Sequence, residues 1–143
     1  MGCLCYTCNL AQVFRVVSCN WGRAMLMYDW VAGNTPAVFL DRNGTVIEDV
    51  DYLTSPEEIR LLPGAATAIR ALRQSGFLIL VVTNQSAIAR GWLIERELRG
   101  IHRELDDLLA ARNAAPDGYM WCPHLPGGDV PAYSRPCWCR KPA

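Results

Sequence analysis

The first residue with evident chemistry is Asp41, which directly follows the short apolar run Ala37–Leu40. Such a run is typical of a strand buried in the parallel sheet of an α/β domain. A carboxylate just past the carboxyl end of that strand lies where open α/β sheets bind their ligands. An aspartate there can attack phosphorus and carry an aspartyl-phosphate. An ordinary turn is the alternative, because the pair Asn43-Gly44 is common in turns.

Metal-binding chemistry is concentrated near the other end of the chain. Cys122 and His124 are followed, after twelve residues, by Cys137 and Cys139. Three thiols and one imidazole form a Cys₃His set, which is typical of a structural Zn²⁺ site. The segment between the two pairs is rich in proline and glycine and has no apolar core of its own, so metal ligation would order it. The sequence therefore predicts a zinc loop over residues 122–139.

Two cations follow the last zinc ligand directly. These are Arg140 and Lys141, and Lys141 is the only lysine of the chain. Zinc held by Cys137 and Cys139 would fix the direction in which both cations point. A cation fixed in this way is suited to binding a phosphate group.

The elements that position these residues alternate between strands and helices. The expected elements are a strand over Ala37–Leu40, a helical turn at Ser55–Glu58, a helix over Ala65–Gln74, a strand over Phe77–Val82, a long amphipathic helix over Leu93–Arg112 and a short strand over Gly118–Trp121. This order with short loops indicates right-handed crossovers and a parallel sheet. His102 lies off the aliphatic stripe of the long helix, which predicts an exposed side chain.

Composition limits the class of protein. With 143 residues, of which 51% are hydrophobic and 20% charged, the chain suits one compact globular domain. Its formal net charge is zero, so no nucleic-acid partner is expected. No apolar run reaches the length of a membrane helix, so no membrane partner is expected either. Seven cysteines in two separate groups predict a reducing, cytoplasmic setting rather than a disulfide framework. We expect a monomer that acts on a small molecule.

Residues 1–34 differ from the rest and are predicted to be an N-terminal extension of unknown role. Met1-Gly2-Cys3 is similar to an acylated N-terminus, although Tyr6 stands where that motif has Ser or Thr. Translation from Met25 or Met27 is the alternative. The strand-like segment Gln12–Ser18 is a candidate to pair with an open edge of the sheet.

Four motifs occur in a fixed order along the chain, namely Leu40-Asp-Arg-Asn-Gly-Thr45, Val82-Thr-Asn-Gln-Ser-Ala-Ile-Ala-Arg-Gly91, Cys122-Pro-His124 and Cys137-Trp-Cys-Arg-Lys-Pro142. Over about residues 36–143 the chain resembles the D-glycero-D-manno-heptose 1,7-bisphosphate 7-phosphatases and the related histidinol-phosphate phosphatases of the haloacid dehalogenase (HAD) superfamily. The resemblance implies a three-layer α/β fold with a Rossmann-like parallel sheet, here incomplete, in which residues 35–143 form the N-terminal part of the phosphatase domain.

The resemblance also implies roles for individual residues. Asp41 corresponds to the nucleophile, and Mg²⁺ is held by its carboxylate and by the backbone carbonyl of Asn43. Thr83 and Lys141 correspond to groups that stabilise the transferring phosphoryl group. The residues implied to contact substrate are Asp49, Val50, Asp51, Tyr52, Thr83, Asn84, Gln85, Ser86, Arg140 and Lys141.

Two departures from the family pattern weaken the expected activity. Asn43 stands where the family has its general acid/base aspartate, and such groups contribute about 10²–10⁴-fold to rate. The chain also ends at Ala143, before the Gly-Asp motif that completes the family's Mg²⁺ site. We expect hydrolysis of a sugar phosphate monoester, with heptose bisphosphate as first choice of substrate and histidinol phosphate as second. The rival expectation is a phosphate-binding module without turnover.

Overall fold

A computed structural model describes residues 35–142 of the chain. It contains strand β1 (Ala37–Leu40), a 3₁₀ turn (Pro56–Glu58), helix α1 (Ala65–Gln74), strand β2 (Leu78–Asn84), helix α2 (Glu95–Ala110) and strand β3 (Gly118–Cys122). The predicted extension over residues 1–34, and with it the pairing of Gln12–Ser18, lies outside the described residues. No helix between residues 35 and 142 is long and apolar enough to cross a membrane.

The three strands form a parallel sheet in the order β1-β2-β3. Leu40 pairs with Val81, and Val81 pairs with Tyr119. Both connections between neighbouring strands contain a helix, which is the geometry that parallel pairing requires. The carboxyl ends of the strands, and the loops that follow them, therefore lie at one edge of the sheet.

One face of the sheet carries the core. Residues of β1, β2 and β3 on this face belong to the same apolar cluster as Ile69 of α1 and as Leu98, Ile101 and Leu105 of α2. Both helices therefore cover the same face. The predicted parallel sheet with helices is confirmed, while the described residues supply one helical layer rather than the two of a three-layer fold.

The first strand is less buried than its sequence predicted. All four residues of β1 are half-buried, whereas a strand buried on both faces was expected. Within residues 35–142, β1 pairs only with β2 and lies at the edge of the sheet. The edge position, together with the absence of a helix on the second face among these residues, explains the partial exposure.

The ends of β2, α2 and β3 differ from prediction by one or two residues. Helix α1 has the predicted bounds. Strand β2 continues beyond Val82 because Thr83 and Asn84 pair with Trp121 and Cys122 of β3. Helix α2 begins only at Glu95, since Ile94 is extended and its N–H is capped by the Glu97 carboxylate at 3.0 Å. The longer β2 places two site residues in the sheet itself.

His102 is buried, which contradicts the predicted exposed side chain. It is 5% exposed and stacks on Tyr119 of β3, with ring centroids 4.2 Å apart. Burial lowers the pKa of this imidazole to about 3, and the charges of Arg42 and Arg99 act in the same direction. The prediction was wrong because only aliphatic residues were counted in the apolar stripe, whereas a neutral imidazole packs here as an aromatic ring.

Candidate active site and metal centre

Asp41 and Lys141 form an ion pair at the carboxyl end of β1. The Asp41 Oδ2 atom lies 2.9 Å from the Lys141 Nζ atom, and the Asp41 side chain is 48% exposed. The other carboxylate oxygen accepts the backbone N–H of Arg42 at 2.7 Å. The carboxylate is therefore fixed at one oxygen, paired with a cation at the other, and open to solvent.

Lys141 is held in this position by β2. Its ammonium group donates to the carbonyl oxygen of Val82 at 2.6 Å. The side-chain amide of Asn84 donates to the Lys141 carbonyl at 2.9 Å and accepts the Lys141 N–H at 3.0 Å. Asn84 thus uses both ends of its amide on the backbone of Lys141. The predicted contact of Asn84 with substrate stays a prediction.

A hydrogen-bonded chain links residue 43 to Thr83 beneath the ion pair. Arg42, 1% exposed, donates from Nε to the Asn43 Oδ1 atom at 2.7 Å and from Nη2 to the Gln85 Oε1 atom at 3.2 Å. Gln85 donates in turn to the Thr83 hydroxyl at 2.8 Å, which leaves the hydroxyl hydrogen for another acceptor. Burial lowers the pKa of Arg42 to about 10, so the guanidinium remains charged at neutral pH.

Arg42 was not among the predicted site residues. No repeating sequence pattern predicts the burial of Arg42, because Arg42 is a single charged residue between the end of a strand and a turn. Its position directly after Asp41 was the only available signal.

The Asp41 carboxylate and the backbone carbonyl of Asn43 suit a hard divalent cation, whereas the carbonyl between them is occupied. The backbone carbonyl of Arg42 accepts the N–H groups of Val46 and Ile47 at 2.9 and 3.0 Å, which closes a tight turn. The carbonyl of Asn43 accepts no hydrogen bond within residues 35–142. That free carbonyl, next to the open carboxylate of Asp41, matches the all-oxygen ligands that Mg²⁺ prefers.

Cys122, His124, Cys137 and Cys139 form one cluster whose ligand atoms all lie within 4.8 Å of one another. The Sγ atom of Cys137 lies 3.4 Å from that of Cys122 and 3.5 Å from that of Cys139. The Nδ1 atom of His124 lies 3.4 Å from the Cys139 sulfur and 3.7 Å from the Cys122 sulfur. Tetrahedral zinc places neighbouring sulfur and nitrogen ligands about 3.5–3.8 Å apart, so the four residues fit Zn²⁺.

Proximity shifts the pKa of Cys122 and that of Cys139 in opposite directions. The neighbouring thiols, Cys139 first, lower the pKa of Cys122 to about 5. The neighbouring Cys122 raises the pKa of Cys139. All three cysteines of the described range are free thiols rather than disulfides. A thiol whose pKa is lowered loses its proton more readily, as zinc ligation requires.

The zinc loop is connected to the Asp41 site through its last residues. The Cys122 carbonyl accepts the N–H of Gln85 at 2.7 Å, which joins the loop to the end of β2. Arg140 donates to the carbonyl of His124 at 3.1 Å. The cluster thus lies immediately before Lys141 in the chain, and the fixing of both cations by zinc stays a prediction.

The other residues predicted to contact substrate are not joined to Asp41 by hydrogen bonds within the described part of the chain. In the segment Asp49–Tyr52, called the flap below, Val50 packs against the core while the other three side chains are exposed. Asp49 and Asp51 make no hydrogen bond or ion pair with any described residue. Ser86 is half-buried and accepts the N–H of Arg90 at its backbone carbonyl. Their contacts with substrate stay predictions.

Known proteins similar to this chain share one description. D-glycero-β-D-manno-heptose-1,7-bisphosphate 7-phosphatase from Yersinia pestis is 41% identical over 109 residues, which are 76% of this chain and 58% of that protein. The enzyme of the same name from Rhodopseudomonas palustris is 40% identical over 111 residues, 78% of this chain and 62% of that protein. The chain therefore spans about three fifths of the length of these relatives. No family model matches the chain.

Solved structures agree with the sequence relatives. The D,D-heptose 1,7-bisphosphate phosphatase from B. bronchiseptica, complexed with magnesium and phosphate, superposes with a TM-score of 0.64 at 37% identity, covering 75% of this chain and 56% of that one. A protein from Mesorhizobium loti described as a HAD-like phosphatase gives a TM-score of 0.71 at 35% identity, covering 76% and 52%. By sequence and by fold, the chain is a homologue of the HAD-like heptose bisphosphate phosphatases over about three fifths of their length, as its motifs predicted.

Proposed function

We propose that the chain carries the nucleophile of a Mg²⁺-dependent phosphatase that hydrolyses the 7-phosphate of D-glycero-D-manno-heptose 1,7-bisphosphate. The relatives named for this activity support the substrate class. The single observation that carries the proposal is the 2.9 Å contact between the exposed Asp41 carboxylate and Lys141. It joins a nucleophile and a phosphate-binding cation that are far apart in the sequence.

Each residue has a defined part in the proposed reaction. One oxygen of Asp41 forms a bond to phosphorus while the bond from phosphorus to the ester oxygen breaks, and the leaving oxygen takes up a proton from solvent water. Water then attacks the phosphorus of the aspartyl-phosphate, which releases phosphate and restores the carboxylate. Lys141 and the free hydroxyl hydrogen of Thr83 bind the oxygens of the phosphoryl group throughout. Asp41 and the Asn43 carbonyl would hold Mg²⁺, which would further neutralise the phosphate charge.

Asn43 limits the rate of this reaction. Its side-chain oxygen is occupied by Arg42, so its NH₂ group is the end left to face the leaving oxygen. An amide can donate a hydrogen bond there but has no ionisable proton to transfer, and it cannot activate water. We therefore propose slow turnover with a long-lived phosphorylated Asp41. This observation also favours the second candidate function, a phosphate-binding module without turnover.

The cellular setting follows from the thiols. Cys122, Cys137 and Cys139 are free, and a zinc site built from them needs reduced cysteines. We propose a cytoplasmic protein that acts as a monomer on a small phosphorylated substrate.

The direct test is a trapping experiment on the purified chain. Incubation with heptose 1,7-bisphosphate and Mg²⁺, followed by acid quenching and intact-mass measurement, should show a gain of one phosphoryl group. The Asp41→Asn variant should show none. Histidinol phosphate serves as the comparison substrate. If the wild-type chain gains no phosphoryl group and releases no phosphate with either compound, the enzymatic proposal fails. The second candidate function, a phosphate-binding module without turnover, is then favoured.

A further inference from the structure

Three residues outside the ion pair form a compact cluster of one cation and two rings. The guanidinium carbon of Arg90 lies 5.4 Å from the centre of the Tyr52 ring and 5.2 Å from that of the Trp92 ring. The two rings meet edge to face with centroids 4.6 Å apart. Tyr52 is 39% exposed and Trp92 is 52% exposed, so the cluster is open to solvent on its ring side.

Arg90 has no hydrogen-bond acceptor among residues 35–142. Its side chain makes no hydrogen bond or ion pair with any residue in the range 35–142, and its Nε atom is buried without a partner. Other half-buried or buried arginines, such as Arg42 and Arg140, donate to nearby oxygens. Contact with two rings stabilises the positive charge but satisfies none of the five N–H donors. Within residues 35–142, Arg90 is thus a cation held by two rings, and the N–H groups at the end of its guanidinium have no protein acceptor.

The cluster stands at the same edge of the sheet as Asp41. Tyr52 belongs to the flap that follows β1, and Arg90 and Trp92 belong to the loop that follows β2. The zinc loop contacts the loop after β2, since the Val130 N–H donates to the Ala89 carbonyl at 2.9 Å. Three segments that are distant in sequence therefore meet here.

The backbone of Tyr52 adds a second sign of function. Its φ angle is 56°, in the left-handed region that a tyrosine rarely adopts. Such strain costs about 1–3 kcal/mol and is concentrated at functional sites. The conformation directs the ring to Arg90 and Trp92, although it leaves much of that ring in water.

We propose that Arg90, held against both Tyr52 and Trp92, binds the second phosphate of a doubly phosphorylated sugar, with the two rings against the sugar. The inference rests on the proposed function, in which Asp41 and Lys141 take the first phosphate, and it narrows the substrate class. Histidinol phosphate has only one phosphate and carries an ammonium group, which Arg90 repels. A sugar bisphosphate has an anion for each cation and C–H groups for the rings.

A purely structural role makes a different prediction. If Arg90 only joins the flap to the loop after β2, its removal lowers the thermal midpoint and leaves ligand preference unchanged. If Arg90 receives a phosphate, its removal abolishes the preference for a bisphosphate over a monophosphate. The comparison of two ligands on one variant separates the roles even where stability falls.

The experiment is calorimetric titration of the full 143-residue chain, with Mg²⁺ present, with glucose 1,6-bisphosphate, glucose 6-phosphate and inorganic phosphate. We expect the bisphosphate to bind about tenfold more tightly than the monophosphate, as one added charge-assisted hydrogen-bond contact provides. Arg90→Gln should bring this ratio to about one and leave the affinity for inorganic phosphate unchanged. Arg90→Lys, which keeps the charge, should retain part of the ratio. Arg103→Gln, an exposed arginine on α2, is the matched control and should keep the wild-type ratio.

Each outcome is decisive. A wild-type chain that binds inorganic phosphate but does not distinguish the two sugars overturns the inference and leaves the proposed function standing. An Arg90→Gln variant that keeps the tenfold ratio of affinities also overturns the inference and leaves the proposed function standing. A wild-type chain that binds none of the three ligands overturns the proposed function, and the inference is lost with it.

Discussion

The Nε atom of Arg42 donates to the side-chain oxygen of Asn43 at 2.7 Å, in a position where Arg42 is almost completely buried. A buried guanidinium normally faces a carboxylate, because an unpaired buried charge is costly. Here its hydrogen-bond partners are the neutral amides of Asn43 and Gln85. The surroundings of residue 43 therefore suit an acid, although the residue is an amide.

Replacing Asn43 with Asp should raise Mg²⁺-dependent phosphate release from heptose 1,7-bisphosphate by about 10²–10⁴-fold, the usual contribution of a general acid/base group. The new carboxylate can accept the bond that Arg42 now gives to the amide and can exchange a proton with the leaving oxygen. Steady-state phosphate release is the measurement. Asn113→Asp, the same change in an exposed turn, should leave the rate unaltered. Equal rates for Asn43→Asp and wild type would contradict an acid/base role for this position.

Arg42→Met should lower the free energy of unfolding by about 1–3 kcal/mol, because it leaves the buried oxygen of Gln85 without its donor. It should also weaken phosphate binding, since Gln85 then no longer fixes the Thr83 hydroxyl. Urea denaturation and phosphate titration measure the two effects. Arg103→Met on the exposed side of α2 is the control for loss of an arginine. Unchanged phosphate affinity in Arg42→Met would show that the hydrogen-bonded chain does not position Thr83.

Local patterns in the sequence predicted most of the fold but only part of the site. Helix α1 was predicted to the residue, because Gly76 and the apolar spacing fix its end and its buried face. Arg42 was missed, since nothing local distinguishes a buried arginine from an exposed one. The contact between Asn84 and Lys141 joins residues 57 positions apart, and only the folded chain reveals that this amide holds the backbone of Lys141.

Lys141→Met should weaken the binding of inorganic phosphate about tenfold or more, because a charge-assisted contact to the phosphoryl oxygens is lost. The effect on stability should be below about 1 kcal/mol, since both partners of the ion pair with Asp41 are substantially exposed. Phosphate titration and urea denaturation test the two statements separately. Lys141→Arg keeps the charge and should retain most of the affinity. A large loss of stability with unaltered binding would assign Lys141 a structural role instead.

The buried imidazole of His102 makes stability depend on pH. Its pKa is about 3 in the folded chain and 6.5 when exposed, so the unfolded state binds more protons between these values. Stability should therefore fall as pH decreases from 6.5 towards 3, with a slope approaching 1.4 kcal/mol per pH unit from this residue. His102→Phe keeps a ring on Tyr119 and should remove that slope. Denaturation curves of wild type and variant from pH 7 to 4.5 give the free energy of unfolding of each at every pH. Identical slopes against pH would show that His102 does not cause the pH dependence.

Zinc removal should disturb the phosphate site as well as the zinc loop. Cys137 and Cys139 lie directly before Arg140 and Lys141, so their release from zinc frees the segment that presents Lys141 to Asp41. We expect about one Zn²⁺ per purified chain by elemental analysis. A zinc-selective chelator, used with Mg²⁺ in excess, should lower both the thermal midpoint and the affinity for inorganic phosphate.

Restoration and mutation separate zinc loss from other effects of the chelator. Added Zn²⁺ should restore phosphate affinity in the wild-type chain but not in Cys137→Ser, because a serine hydroxyl is a poor ligand for zinc. Lys141→Met should bind phosphate equally weakly with and without zinc, since zinc acts on phosphate affinity through the position of that ammonium group. If chelation instead weakens phosphate binding by the same factor in Lys141→Met as in wild type, the zinc loop supports the site through another contact, and the coupling through Lys141 is wrong.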